Sequence, residues 1–252
     1  MLHMITHGMP TALPPLLIAH GLYGSARNWG VIAKRLSDAR QVIAVDMRNH
    51  GQSPWQDGQS YPEMAEDLAE VLENIGPAHL LGHSMGGKAA MVLASTRPSL
   101  LKSVIVADIA PVAYARTQIG YIEALQAADL GGIEKRSEMA ARLEPVIDDP
   151  ALIPFFLQSL DVAEGRWRLN LDALANGMPD IMGFPTLESA YDGPTLFLTG
   201  ATSDYVLPEY RTKIKRLFPT ARFAKIPGAG HWLHAEKPRE FEAAVRAWLE
   251  RA

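Results

Sequence analysis

Short apolar runs separated by amphipathic stretches set the rhythm of this chain. Pro15-Leu16-Leu17-Ile18-Ala19, Val42-Ile43-Ala44-Val45 and Val104-Ile105-Val106-Ala107 lack alternating polar positions, the pattern of strands buried on both faces. Ala78, Leu80 and Leu81 predict a further strand, and Lys88 to Ser95 a helix, ending near Arg97-Pro98. Between these runs the period changes to that of a helix. Trp29 to Leu36 has helical spacing with Ser25 or Asn28 as a cap, and Tyr61 to Ile75 is amphipathic, with Pro62 in its first turn and Gly76 closing it. Repeated strand–helix units of this kind predict a mostly parallel sheet with helices on both faces.

The rhythm breaks between about Val112 and Pro194. This stretch is irregular and helical, punctuated by Gly131-Gly132, Pro145, Asp148-Asp149-Pro150, Gly165 and Pro179. It is too long for a simple loop and brings apolar residues of its own, so it reads as an inserted helical cap. The expected organisation is a core of residues 1–111 and 193–252 with a cap of residues 112–192. The strand–helix rhythm then returns with a strand at Thr195 to Thr199, a helix at Glu209 to Phe218, a strand at Arg222 to Ile226 and a final amphipathic helix at Pro238 to Glu250.

Composition narrows the function classes. The chain has 252 residues, enough for one large domain. With 48% hydrophobic and 21% charged residues it resembles an ordinary globular protein, and a net charge of −4 gives no basic surface for nucleic acid or anionic lipid. There is no cysteine, which excludes a thiolate nucleophile, thiolate zinc sites and disulfides, and agrees with a cytoplasmic location. Met1 to Pro10 carries histidines, a glycine and a proline where a signal peptide needs an apolar run, and no apolar stretch reaches the length of a membrane span. Neither a nucleic-acid nor a membrane partner is expected, and oligomeric state is not legible.

Gly82-His83-Ser84-Met85-Gly86 is the strongest chemical signal. It fits G-x-S-x-G between a strand and a helix, the turn that exposes a nucleophilic serine. A serine hydroxyl needs a base within hydrogen-bond reach. Of eight histidines, His231 stands apart: it follows Pro227-Gly228-Ala229-Gly230 after the last strand, at the carboxyl edge of the sheet. His234 is its main competitor, and His20 is read as orienting the turn at Gly21. The carboxylate that would hold the imidazole has two candidates. Asp108 ends the preceding strand, while Asp204 lies in the turn after Gly200, one residue beyond Ser203. Backbone N–H groups of Leu22 and Met85 are the expected oxyanion donors. Tyr23, Phe156, Trp167 and Tyr205 are the candidate substrate-lining residues.

Other motifs read as structural. Asp46-Met47-Arg48-Asn49-His50-Gly51 contains metal-ligand types without metal-ligand spacing, so its Arg and Asp are expected to brace loops beneath the turn; no metal is expected. Gly82 to Lys88 lacks the spacing of a phosphate loop, since Ala89 follows the lysine.

Taken together, these motifs resemble the serine α/β-hydrolases, and within them the small YbfF-type bacterial esterases. The similarity spans nearly the whole chain, through His20-Gly21-Leu22-Tyr23-Gly24-Ser25, the Asp46 to Gly51 segment, Gly82 to Lys88, Asp108-Ile109-Ala110-Pro111, Arg166-Trp167-Arg168-Leu169-Asn170 and Gly228 to Pro238. The resemblance implies an α/β-hydrolase fold and a cofactor-free carboxylesterase using Ser84 and His231, with Asp108 as the acid and Ser203 assisting by hydrogen bonding. The expected reaction is hydrolysis of small to medium acyl esters. Thioester or carbon–carbon bond hydrolysis by the same triad is the alternative, and a non-catalytic binding scaffold is a third class that intact triad members argue against.

Overall fold

The computed structural model describes residues 1–252. Its first half runs β1 (Met4–His7), β2 (Leu16–Ala19), α1 (Gly30–Leu36), β3 (Val42–Val45), α2 (Tyr61–Ile75), β4 (Ala78–His83), α3 (Met85–Thr96) and β5 (Leu101–Ala107). Five short helices and a ribbon follow: α4 (Ile119–Ala127), α5 (Arg136–Leu143), α6 (Ile153–Phe156), β6 (Leu160–Asp161), β7 (Arg166–Trp167), α7 (Leu171–Asn176) and α8 (Met178–Met182). The chain closes with β8 (Thr195–Gly200), α9 (Arg211–Leu217), β9 (Arg222–Ile226), α10 (Leu233–Glu236) and α11 (Pro238–Leu249).

The main sheet has the order β1-β3-β2-β4-β5-β8-β9. All neighbours are parallel except β1, which pairs antiparallel with β3. The continuous apolar runs are central strands: every residue of β2, β3, β4 and β8 is buried. Helices cover both faces, which is why those strands show no alternation. On one face Leu68 and Leu72 of α2 and Met91 and Leu93 of α3 join the core; on the other, Ile32 of α1 packs with Phe241 and Val245 of α11. The α2 start follows from its sequence. Ser60 and Glu63 form a reciprocal capping box and Pro62 occupies the first turn, while Gly76 at φ 85° ends the helix.

Three local differences from the sequence expectation have simple causes. Met4–His7 is a half-exposed edge strand, so it lacks the buried run that marks the others. Trp29 belongs to a 3-10 turn, Ala26–Trp29, because Asn28 Oδ1 accepts from the Ser25 N–H at 2.6 Å and tightens the entry to α1. The expected helix at Glu209 begins as another such turn, Pro208–Tyr210.

Between β5 and β8 the chain adds nothing to the main sheet. It is tied instead to the loop after β3. Gly51 N–H donates to Arg168 O at 2.8 Å and Asn170 N–H to Asn49 O at 2.9 Å. Two motifs far apart in sequence are thereby one structural joint.

Candidate active site

Ser84 sits between β4 and α3 at φ 51° and ψ −118°, a conformation that non-glycine residues rarely adopt and that folded proteins hold mainly at functional sites. The turn closes only because its neighbours lack side chains: a Cβ on Gly86 would clash with the backbone oxygen of Ala19. This packing pushes the start of α3 against the end of β2 and leaves Ser84 Oγ facing the carboxyl edge of the sheet.

His231 lies in the loop between β9 and α10, and its Nε2 is 3.1 Å from Ser84 Oγ. Its Nδ1–H donates to Asp108 Oδ2 at 2.8 Å. Asp108 directly follows β5, is fully buried, and has φ 52°. Its other oxygen accepts from Gly200 N–H at 2.9 Å, and Ser203 Oγ–H donates a short hydrogen bond to Oδ2. Asp204 stands elsewhere: its side chain is 69% exposed and pairs with Arg116, which holds the carboxyl below its usual range. The geometry thus joins Ser84, His231, Asp108 and Ser203, and leaves Asp204 at the surface. His234 is also apart, stacked on Trp29 with centroids 4.1 Å apart, and burial lowers it to about 3.

Three of the remaining buried histidines, His20, His50 and His83, form a brace, while His79 at the start of β4 bonds Ser103 Oγ instead. His20 Nδ1–H donates to Gly21 O at 2.7 Å, and its Nε2 accepts from Met47 N–H at 2.9 Å. His50 Nδ1–H donates to Arg48 O, and its Nε2 accepts from Tyr23 N–H at 3.1 Å. Each ring therefore uses one donor and one acceptor, as a neutral imidazole must, and burial lowers both, His50 to about 3. Asp46 supports the same region, accepting from Ala26 N–H and Gln52 N–H. His83, the interior residue of the serine turn, donates Nε2–H to His231 O at 2.9 Å and so fixes the histidine loop. Sequence reading missed that role, since nothing local to His83 reveals a partner 148 positions away.

The brace presses the loop after β2 onto Ser84. A Cβ on Gly21 would lie 3.1 Å from Ser84 Cβ. Leu22 N–H donates to no group within the protein, and Met85 N–H opens α3, where no intrahelical acceptor exists. Both donors flank the serine.

A cavity of about 180 Å³ opens at Ser84 and His231, walled by Tyr23, Tyr121, Phe155, Phe156, Tyr205 and Trp232. Tyr205 stacks on the His231 ring with centroids 3.8 Å apart. Among the expected lining residues, Tyr23, Phe156 and Tyr205 are present, but Trp167 is not. Its indole N–H donates to Leu125 O at 3.0 Å and the ring is buried under α4, because the β6–β7 ribbon turns it into the interior of the cap. Phe155 and Trp232 take that share of the wall; their positions beside Phe156 and His231 were the available sequence signal.

Lys88, one turn into α3, is buried with its Nζ donating to the carbonyls of Ile181, Met182 and Gly183 at the end of α8. Burial lowers it from the usual 10.5 to about 7. Between those values the unfolded chain binds more protons than the folded one, so stability rises with pH across that window. Replacing Lys88 with methionine should remove this slope. From pH 7 to pH 10 the melting temperature of wild type should gain about 5 °C or more on Lys88→Met; a constant difference would show that the buried amine keeps ordinary proton affinity.

A sequence model of the alpha/beta hydrolase family matches residues 16–244. The sn-1-specific diacylglycerol lipase of Mus musculus is 42% identical over 251 residues, covering 94% of this chain and 81% of that protein. Esterase YbfF of Escherichia coli is 39% identical over 238 residues, covering 93% and 92%. Among solved structures, a marine microorganism esterase superposes with a TM-score of 0.92 at 39% identity over 98% of each chain. The chain belongs to the alpha/beta hydrolase family. With esterases and a lipase as its relatives, it is a carboxylic ester hydrolase by class.

Proposed function

We propose that this protein hydrolyses carboxylic esters through an acyl-enzyme on Ser84. The observation that carries the reading is the continuous chain Ser84 Oγ, His231 Nε2, His231 Nδ1, Asp108 Oδ2, with links of 3.1 and 2.8 Å. His231 removes the Ser84 proton as Oγ attacks the acyl carbon. The negative charge that grows on the carbonyl oxygen is held by the Leu22 and Met85 N–H groups, which are fixed before the charge appears; each such donor is worth about 10²-fold or more in rate. His231 then protonates the departing alcohol; in the second step it takes a proton from water as the water oxygen attacks the acyl carbon, and returns that proton to Ser84 Oγ as the acyl–Oγ bond breaks and the acid leaves. Asp108 keeps the Nδ1–H tautomer and stabilises the imidazolium, and Ser203 and Gly200 hold the carboxylate in place. Residues 112–192 act as the cap, and the aromatic cavity takes the apolar part of a small to medium ester.

Incubation with a fluorophosphonate followed by peptide mass analysis should place one adduct on Ser84, and a panel of acyl esters and acyl thioesters should show turnover of the esters. Absence of labelling would leave a binding scaffold rather than an enzyme. Turnover confined to thioesters would move the substrate class while keeping the triad.

A further inference from the structure

Two hollows meet at Ser84. Leu22 lines both; His231 lines only the wider one, of about 180 Å³, and Met85 only the narrower one, of about 20 Å³. Their assignment rests on the ester-hydrolysis reading, in which the leaving oxygen takes its proton from His231. The alcohol therefore belongs in the wider hollow and the acyl group in the narrower one. That acyl hollow has space for little more than one water-sized group.

Beyond it lies a third, mostly apolar hollow of about 390 Å³, between the Tyr114–Ile119 segment and the α7–α8 pair, lined by Ile119, Ala175, Met178 and Pro179 together with Arg116 and Thr117. Tyr114 and Met182 line both this groove and the acyl hollow, so the partition between them is one side chain thick. The two residues differ in how they are held. Tyr114 Oη accepts from Ala110 N–H at 3.0 Å and donates to Tyr205 O at 2.7 Å, which fixes the ring. The Met182 side chain makes no hydrogen bond and is held by apolar packing against the core alone, while its backbone carbonyl accepts from Tyr114 N–H at 2.9 Å and from Lys88 Nζ at 3.2 Å. Its half-buried thioether side chain is unbranched with three rotatable bonds. The clamp on the backbone and the freedom of the side chain make Met182 the movable part of the wall.

We infer that the Met182 side chain is the gate that sets acyl-chain length. In place, it limits the acyl group to a very short chain; swung aside, it joins the acyl hollow to the outer groove as one apolar channel for a longer unbranched chain. Tyr114 is the fixed post of the same gate.

The test uses p-nitrophenyl esters of two-, four-, eight- and ten-carbon acids, which hold the alcohol constant. In Met182→Ala the ratio of kcat/KM for the eight-carbon ester to that for acetate should rise about tenfold or more over wild type, and in Met182→Phe it should fall. Phe156→Ala, which opens only the wider hollow, should leave this acyl ratio within about twofold while changing preference among acetates of different alcohols. A ratio within about twofold of wild type in both Met182 variants, with their circular dichroism and melting unchanged, overturns the gate. So does an acyl ratio that moves with Phe156→Ala instead. Either result stands apart from failure of the hydrolase reading, which would show as wild type inert to every ester and to the fluorophosphonate.

Discussion

Ser84→Ala is expected to lower ester turnover by about 10⁴-fold or more, and to abolish fluorophosphonate labelling. The substitution removes the atom that bonds the acyl carbon, so neither His231 nor the oxyanion donors have a covalent intermediate to assist. It leaves the backbone alone. Alanine meets the same conformational demand at φ 51° as serine, and the contacts that force the turn belong to Gly82 and Gly86. The melting temperature should therefore stay near that of wild type, which separates loss of chemistry from loss of fold. Turnover within about tenfold of wild type would remove Ser84 from the reaction.

The second large effect is expected at Asp108. Asp108→Asn should reduce turnover by about 10⁴-fold. An asparagine amide placed toward His231 donates to Nδ1 and fixes the other tautomer, whose Nε2 carries the proton and cannot act as base. It also lacks the charge that stabilises the imidazolium. Gly200 N–H requires the amide oxygen at the Oδ1 position, which places the amide NH₂ at the Oδ2 position facing His231 and Ser203. Asp204→Asn should cost about tenfold or less, since that exposed carboxylate touches Arg116 rather than His231. Ser203→Ala should fall between the two. Steady-state kinetics of the three variants on one ester decide the matter; a larger loss at Asp204 than at Asp108 would move the acid to the turn after β8.

Much of this site is legible along the chain because its parts are local. The Gly82–Gly86 spacing is a backbone requirement, and the buried strand before it and the helix after it show as a change of period. His231 is recognisable from its place in the loop after the last parallel strand. In the motif at Asp46–Gly51 the brace expected of Asp46 and Arg48 is divided: Asp46 accepts from Ala26 N–H, but Arg48 pairs with Asp67 of α2, and it is His50 that accepts from Tyr23 N–H.

What the sequence determined by itself is the order of the buried strands of the main sheet and the helices between them, the serine turn, and the set of residues able to do acyl chemistry. These depend on nearest-neighbour sterics and on hydrophobic period, both written into adjacent residues. Only the tertiary structure decided between Asp108 and Asp204, turned Trp167 into the cap and Phe155 and Trp232 into the cavity, and tied His83 to the His231 loop. Those outcomes depend on hydrogen-bond reach between segments such as Asp108 and His231, 123 positions apart. In the turn after β8, Ser203 reaches Asp108 while Asp204, one residue on, pairs with Arg116 at the surface, and only the folded sheet, which brings the ends of β4, β5, β8 and β9 to one edge, fixes which residue arrives at the site.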